Sequence, residues 1–286
     1  MSSQPVMIEA PQSLNGILGL GDVEVFYLDV PLGEGAEGNL RRKFALSQQR
    51  ELLTQLPTLL IDGTIGIGDL TRSEISITGV RRVITHRFWS EVQFSVEMPP
   101  KRPGDAPVKA AFAGIMVAHK FRPGASALIV VDEDHIALTK LYRFHGCYDE
   151  TLPGKGKGWR LECPRGGYKP GESPEDGAIR EATEEAGVKR GPETEVISLG
   201  EIEPDSGILM SSVALFAVTG VEIDRGTVHL DVTEAPTETV VLSVDRVLEM
   251  IDLGEITCSM TIASVMRALI KGVIRSKKLS ERSTTV

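Results

Sequence analysis

Three glutamates, Glu181, Glu184 and Glu185, stand three and four residues apart in the run from Ser173 to Gly187. At helical spacing all three carboxylates project from one face. The run carries helix signals at both ends. Ser173 is a good N-cap, Pro174 suits the first helical position, and Asp176 stands where it completes a capping box. Gly187 is placed to take the left-handed conformation that ends a helix. Ala178, Ala182 and Ala186 form a different strip, small enough for close packing on a sheet. Like charges at this spacing destabilise a helix by roughly a few tenths of a kcal/mol per pair, and the macrodipole disfavours acids in the C-terminal half. A solvated acidic face tolerates that cost and is the plain structural alternative. A hard divalent cation shared among the acids would offset it, since Mg²⁺ takes oxygen ligands and keeps waters for substrate phosphates. The glycine-rich approach from Gly166 to Gly171 moves the odds toward the cation, and composition alone stops there.

At these residues the sequence resembles the Nudix hydrolase family, whose box reads G-x5-E-x7-R-E-U-x-E-E-x-G-U with U a bulky aliphatic residue. Gly166, Glu172, Arg180, Glu181, Glu184, Glu185, Gly187 and Val188 occupy the fixed positions, and Ala182 stands where the first U belongs. The resemblance implies that Glu181 and Glu185 are the principal Mg²⁺ ligands, with Mn²⁺ as the alternative ion. Glu184 would be a further ligand or a water-positioning group, and the main-chain carbonyl of Arg165 another ligand. Arg180 would orient the acids through ion pairing with Glu172. The family hydrolyses a nucleoside diphosphate linked to a second moiety, where cations neutralise the pyrophosphate and prepare a water for in-line attack.

The flanking residues resemble the ADP-ribose pyrophosphatase subfamily. Trp159-Arg-Leu-Glu162-Cys-Pro164-Arg165-Gly166 follows its W-x-(x)-E-x-P-x-G approach, and Leu141-Tyr142-Arg143 its Q-Y-R strand end, with Leu in place of Gln. Pro204 and the segment from Glu238 to Ile262 also match that pattern, so the likeness runs from about residue 75 to 272. By this resemblance Arg143, Glu162 and Arg165 are substrate-binding candidates, and Glu234 or Glu238 the general base. An arginine at a strand end is equally at home on a plain surface. Trp89 fits a core or interface better than a stacked adenine, Cys163 fits a buried small residue, and the five histidines show no paired metal spacing.

The elements that must position these groups are legible from residue 70 onward. Val92, Phe94, Val96 and Met98 alternate with Gln93, Ser95 and Glu97, as in a half-buried strand. Further strands are expected at 111–118, 127–131, 136–142, 195–203, 211–218 and 238–244, with helices at 174–186, 244–252 and 259–275. Before residue 70, a strand near 23–30, a helix near 39–56 stopped by Pro57 and a glycine-rich turn at 63–68 are expected. The alternation is that of an α+β chain with a mixed sheet, not a regular βαβ series. The resemblance makes it a Nudix fold, a mixed β-sheet sandwiched between α-helices. Residues 1–70 would be an N-terminal extension, 71–279 the hydrolase domain with strands near 75–110 serving dimerisation, and 280–286 a flexible tail.

Composition narrows the partners. The 286 residues carry 31 Lys plus Arg against 40 Asp plus Glu, a net charge of −9, which argues against gripping a nucleic-acid backbone. A local cation site can still hold a small anion. Three scattered cysteines, no basic-then-apolar leader and no run of 18 apolar residues point to a soluble, reducing, cytoplasmic setting without membrane contact. The expected activity is Mg²⁺-dependent cleavage of ADP-ribose or a related nucleoside-diphosphate sugar by a homodimer. Alternatives are a Nudix hydrolase of NADH or a dinucleoside polyphosphate, and a non-catalytic ligand-sensing module.

Overall fold

The computed structural model describes residues 6–8, 23–27, 68–85, 89–117, 124–143, 158–169, 171–224, 228 and 238–283. The expected helix at 39–56 lies outside them, as does most of the turn at 63–68. Two compact units emerge: residues 1–122 with 205–211, and residues 123–204 with 212–286.

The first unit is built on a five-stranded sheet: β1 (Val6–Ile8), β2 (Val23–Tyr27), β3 (Ser76–Thr85), β4 (Trp89–Met98) and β5 (Val108–Val117), in that spatial order. All pairs are antiparallel except β2 with β3. Period-2 patterning sets β4 as expected, with Val92, Phe94 and Val96 buried and Gln93, Ser95 and Glu97 less so. Strands β1 and β2 complete the sheet begun by β3, so this unit runs across the boundary that composition drew at residue 70.

The second unit holds a mixed sheet in the order β10 (Val188–Ile202), β11 (Val213–Ile223), β6 (Gly124–Asp132), β7 (His135–Tyr142), β12 (Glu238–Ser243). Only β11 with β6 is parallel. The β6–β7 hairpin stays paired near its turn, from Ile129 to Ala137. Beyond that the two strands part, and β8 (Trp159–Glu162) pairs with β7 while β9 (Arg165–Gly167) pairs with β6. Cys163 and Pro164 cross the gap, and Ala127 N–H donates to the Pro164 carbonyl at 2.9 Å.

Helices cover both faces, which bears out the α+β sandwich. Helix α1 (Pro174–Ala186) lays its alanine strip on one of them. Ala178, Ala182 and Ala186 are fully buried in one cluster with Ala125, Ala127, Ile129 and Ala137. Small residues on both sides let the helix axis come close, and Ala182 suits that packing although the box takes a larger aliphatic there. Helices α2 (Val244–Asp252) and α3 (Ser259–Ile270) cover the other face, where Val247, Val265 and Ala268 pack with Leu128, Val130, Leu138 and Leu215. The pattern read as one helix over 259–275 stops at Ile270. The N–H groups of Val273 and Ile274 both turn back to the Ala268 carbonyl, and Ile274 is buried by that reversal. The segment expected to fray then enters a short helix α4 (Lys277–Ser283), where Ser276 Oγ accepts from Leu279 N–H and donates to Asp245 at 2.6 Å.

Candidate active site

The ends of α1 follow the sequence closely. Ser173 Oγ accepts from the Asp176 N–H at 3.1 Å, and the αL conformation of Gly187 (φ 70°) closes the helix. The box is completed differently from expectation. The Asp176 carboxylate accepts from the Ser173 hydroxyl at 2.7 Å, the shorter aspartate meeting the side chain of the cap.

Arg180 sits at the centre of the acid cluster with its side chain 17 % exposed. Its Nε and Nη2 fork onto Glu172 at 2.9 and 3.2 Å, and Nη2 also donates to the Gly167 carbonyl at 2.8 Å. Its Nη1 donates to Glu181 at 2.6 Å and to Glu184 at 2.8 Å. One guanidinium thus ties the approach loop to the acidic face. Burial works against its charge, yet the bonds to Glu172, Glu181 and Glu184 prevail and hold its pKa above the ordinary value. The same bond from Arg180 is the main reason Glu172 is held below the usual carboxylate range, helped by the Lys169 N–H.

Glu181 and Glu185 are buried on successive turns of α1, while Glu184 is partly exposed and within 3.4 Å of Lys169 Nζ. A Cβ at Gly166 would overlap the Glu181 carboxylate, so any larger residue there would displace that side chain. Across the strand break, buried Glu162 accepts from Arg165 Nη2 at 3.0 Å and from Arg143 Nη2 at 3.2 Å. Thr139 Oγ1 fixes the Glu162 carbonyl at 3.0 Å. Burial opposes the charge of Arg165, but Glu162 keeps its pKa above the ordinary value, with Glu185 contributing. The structure therefore gathers Arg143, Glu162 and Arg165 in one cluster and Glu172, Arg180, Glu181 and Glu184 in another, with Gly166 joining them along β9.

One sequence candidate falls elsewhere. Glu238 is exposed and pairs with Lys140 at 3.4 Å. Its neighbour Thr239 donates to the Ala186 carbonyl at the end of α1, so strand alternation turns Glu238 to the opposite sheet face. Glu234 lies outside the described residues, as does the side chain of Trp89. Cys163 is buried, and burial pushes its thiol well above the ordinary range, which suits an inert core residue. Sequence reasoning passed over Arg160, which is 8 % exposed and donates to the Trp159 carbonyl at 2.8 Å. Its signal was its place two residues before Glu162 in a strand, hence on the same face.

The oxygen donors that would hold a cation here are Glu181, Glu184, Glu185 and the Arg165 carbonyl. Among the described residues no three His, Cys, Asp or Glu side chains are already gathered as a metal cluster. Glu181 and Glu184 are instead held on Arg180. An all-oxygen set with two buried carboxylates, and a glycine where a Cβ would collide with one of them, fits a hard divalent ion. No helix among the described residues is long and apolar enough to cross a membrane.

Residues 120–251 match the family described as NUDIX domain, a stretch that contains every member of the acid and arginine clusters. No curated protein matches the sequence. Among solved structures, the chain is similar to the crystal structure of an ADP compounds hydrolase. The identity is 17 % and the TM-score 0.55, over 71 % of this chain and 97 % of that one. At that identity the likeness is one of fold.

Proposed function

We propose, from the premise that residues 120–251 form a Nudix domain, that this chain hydrolyses the pyrophosphate of ADP-ribose or a related nucleoside-diphosphate sugar to a nucleoside monophosphate and a sugar phosphate. The observation that carries the reading is Arg180 holding Glu172, Glu181 and Glu184 on one guanidinium beside the Glu162–Arg143–Arg165 cluster. Acids and arginines in adjoining groups match a substrate that brings phosphates together with their cation. Glu181, Glu185, Glu184 and the Arg165 carbonyl would hold Mg²⁺, or Mn²⁺ in its place. The ion supplies neutralisation of the pyrophosphate oxygens and a water of lowered pKa.

The chain's own residues do the rest. Arg180 keeps Glu172, Glu181 and Glu184 aimed. Glu162 pre-sets Arg143 and Arg165, so that the remaining terminal N–H groups of their guanidiniums are held ready for phosphate oxygens. Of the two candidate bases, Glu238 is occupied with Lys140 on the far face, which favours Glu234 as the group that takes the proton of the attacking water. A homodimer formed through the strands of the first unit accompanies this reading, and a monomer in light scattering would refute it.

The deciding assay is phosphate-coupled turnover on ADP-ribose, NADH, a diadenosine polyphosphate and UDP-glucose, each with Mg²⁺ and with chelator. Chelator-sensitive preference for ADP-ribose is the expected result. Preference for another substrate overturns the specificity, and chelator-resistant turnover overturns the metal.

A further inference from the structure

Three buried side-chain polar atoms among the described residues have no hydrogen-bond partner in the protein: Ser126 Oγ, Arg165 Nε and Ser264 Oγ. They are not scattered. Ser126 on β6 and Arg165 on β9 are register partners, as are their neighbours Ala125 and Gly166. Ala125 packs with α1 and Gly166 abuts Glu181, so alternation turns Ser126 and Arg165 to the other face, the one covered by α3. Ser264 lies on α3, one turn beyond Thr261 and on the same side of the helix. Thr261 Oγ1 in turn accepts from the N–H of Cys163 at 3.0 Å, two residues before Arg165. Both serines are fully buried. An unpaired hydroxyl in an apolar interior is costly, and three unpaired polar atoms directed into one layer call for a shared partner.

We propose that Ser126, Ser264 and Arg165 Nε form one buried hydration site between β6, β9 and α3. A single internal water accepts from Arg165 Nε–H and exchanges bonds with the two hydroxyls, three partners being the usual number for such a water. The site steadies Arg165 from behind, while its Nη2 holds Glu162 at 3.0 Å. Ser126 and Ser264 are then positioning residues that touch neither substrate nor cation. The hydration site rests on the three unpaired atoms; its effect on the metal rests on the function proposed above.

Paired substitutions in the full chain test it: Ser126→Thr against Ser126→Val, and Ser264→Thr against Ser264→Val. Thr and Val have nearly the same shape, so overpacking affects both alike and only the hydroxyl differs. Each Val variant should melt roughly 2–4 °C below its Thr counterpart. The double Val variant should lose less than the sum, because both changes remove the same water. Additive losses, or equal melting of Thr and Val, would overturn the shared site whether or not the chain hydrolyses anything. A crystal structure with no water bridging these atoms would overturn it too. In turnover assays the Val variants should need on the order of 10-fold more Mg²⁺ for half-maximal rate at unchanged nucleotide KM. An identical Mg²⁺ response in Val and Thr variants would end the positioning role alone.

Discussion

Gly166→Ala isolates the contact between the approach strand and the acid helix. The added methyl would occupy the position of the Glu181 carboxylate, which is buried and bonded to Arg180 at 2.6 Å. The backbone of β9 cannot retreat freely, because it is paired with β6. Glu181 must therefore swing away and give up its bond to Arg180. A hydrogen bond to a charged group contributes about 1.5–3 kcal/mol, while Arg180 keeps its fork on Glu172 and its bond to Glu184. At about 2–4 °C per kcal/mol for a unit of this size, the melting temperature should fall by roughly 3–12 °C. Activity should fall much further, since displacing a reacting group by about 1 Å costs on the order of 10²-fold in rate. Differential scanning fluorimetry and steady-state kinetics on the same preparations separate the two effects. A Gly166→Ala protein with wild-type melting and wild-type kcat would refute the argued contact and with it the placement of Glu181.

Glu185→Gln should abolish turnover while shifting the melting temperature little in the absence of Mg²⁺; retained turnover would remove Glu185 from the ligand set. The depressed pKa of Glu172 gives a signed pH prediction. Its contribution to stability is full above its unfolded value near 4.5 and is lost as pH falls through the lower folded value, so thermal melts from pH 6 down to 3 should flatten in Glu172→Gln. Lys140→Ala removes an exposed pair worth at most about 1 kcal/mol and should leave kcat unchanged. A large loss would show that the β12 edge takes part in chemistry. Glu234→Gln should lower kcat by at least about 10²-fold, and Glu238→Gln should not; the reverse ranking would return Glu238 to the role of base.

What the sequence disclosed is what local physics determines. The limits of α1 follow from a serine cap, a proline and a glycine within one 13-residue helix, and its buried strip from three alanines at helical spacing. The cluster of arginines around Glu162 was anticipated only through the resemblance. Its cause, the parting of β6 from β7, depends on pairings between residues such as Ser126 and Arg165 that are 39 positions apart (165 − 126). No period-2 pattern announces where two strands separate. The direction of Glu238 likewise needed the register with Lys140. At the C-terminus, Ile270 and Val273 kept a helical beat across Lys271–Gly272, and the local break at Gly272 (φ 70°) won over that periodicity. Strand β1 was hidden for the opposite reason, its three residues being too few to show a period, whereas β2 falls within the strand expected near 23–30 and only its pairing with β3 was not legible.

The parting of β6 and β7 also bears on where the chain tolerates a change of length. Glu162 and Arg165 are anchored to two different neighbours, β7 on one side and β6 on the other. Arg143 N–H donates to the Gly158 carbonyl at 2.7 Å, so these two residues are tied together beside this frame. A change in the length of the sequence between them is met first by that bond rather than by the acids of α1. Lengthening it twofold would cost only about 0.6 kcal/mol in closure entropy. Length can therefore vary on that side of the bond while the anchoring of Glu162 and Arg165 stays as it is.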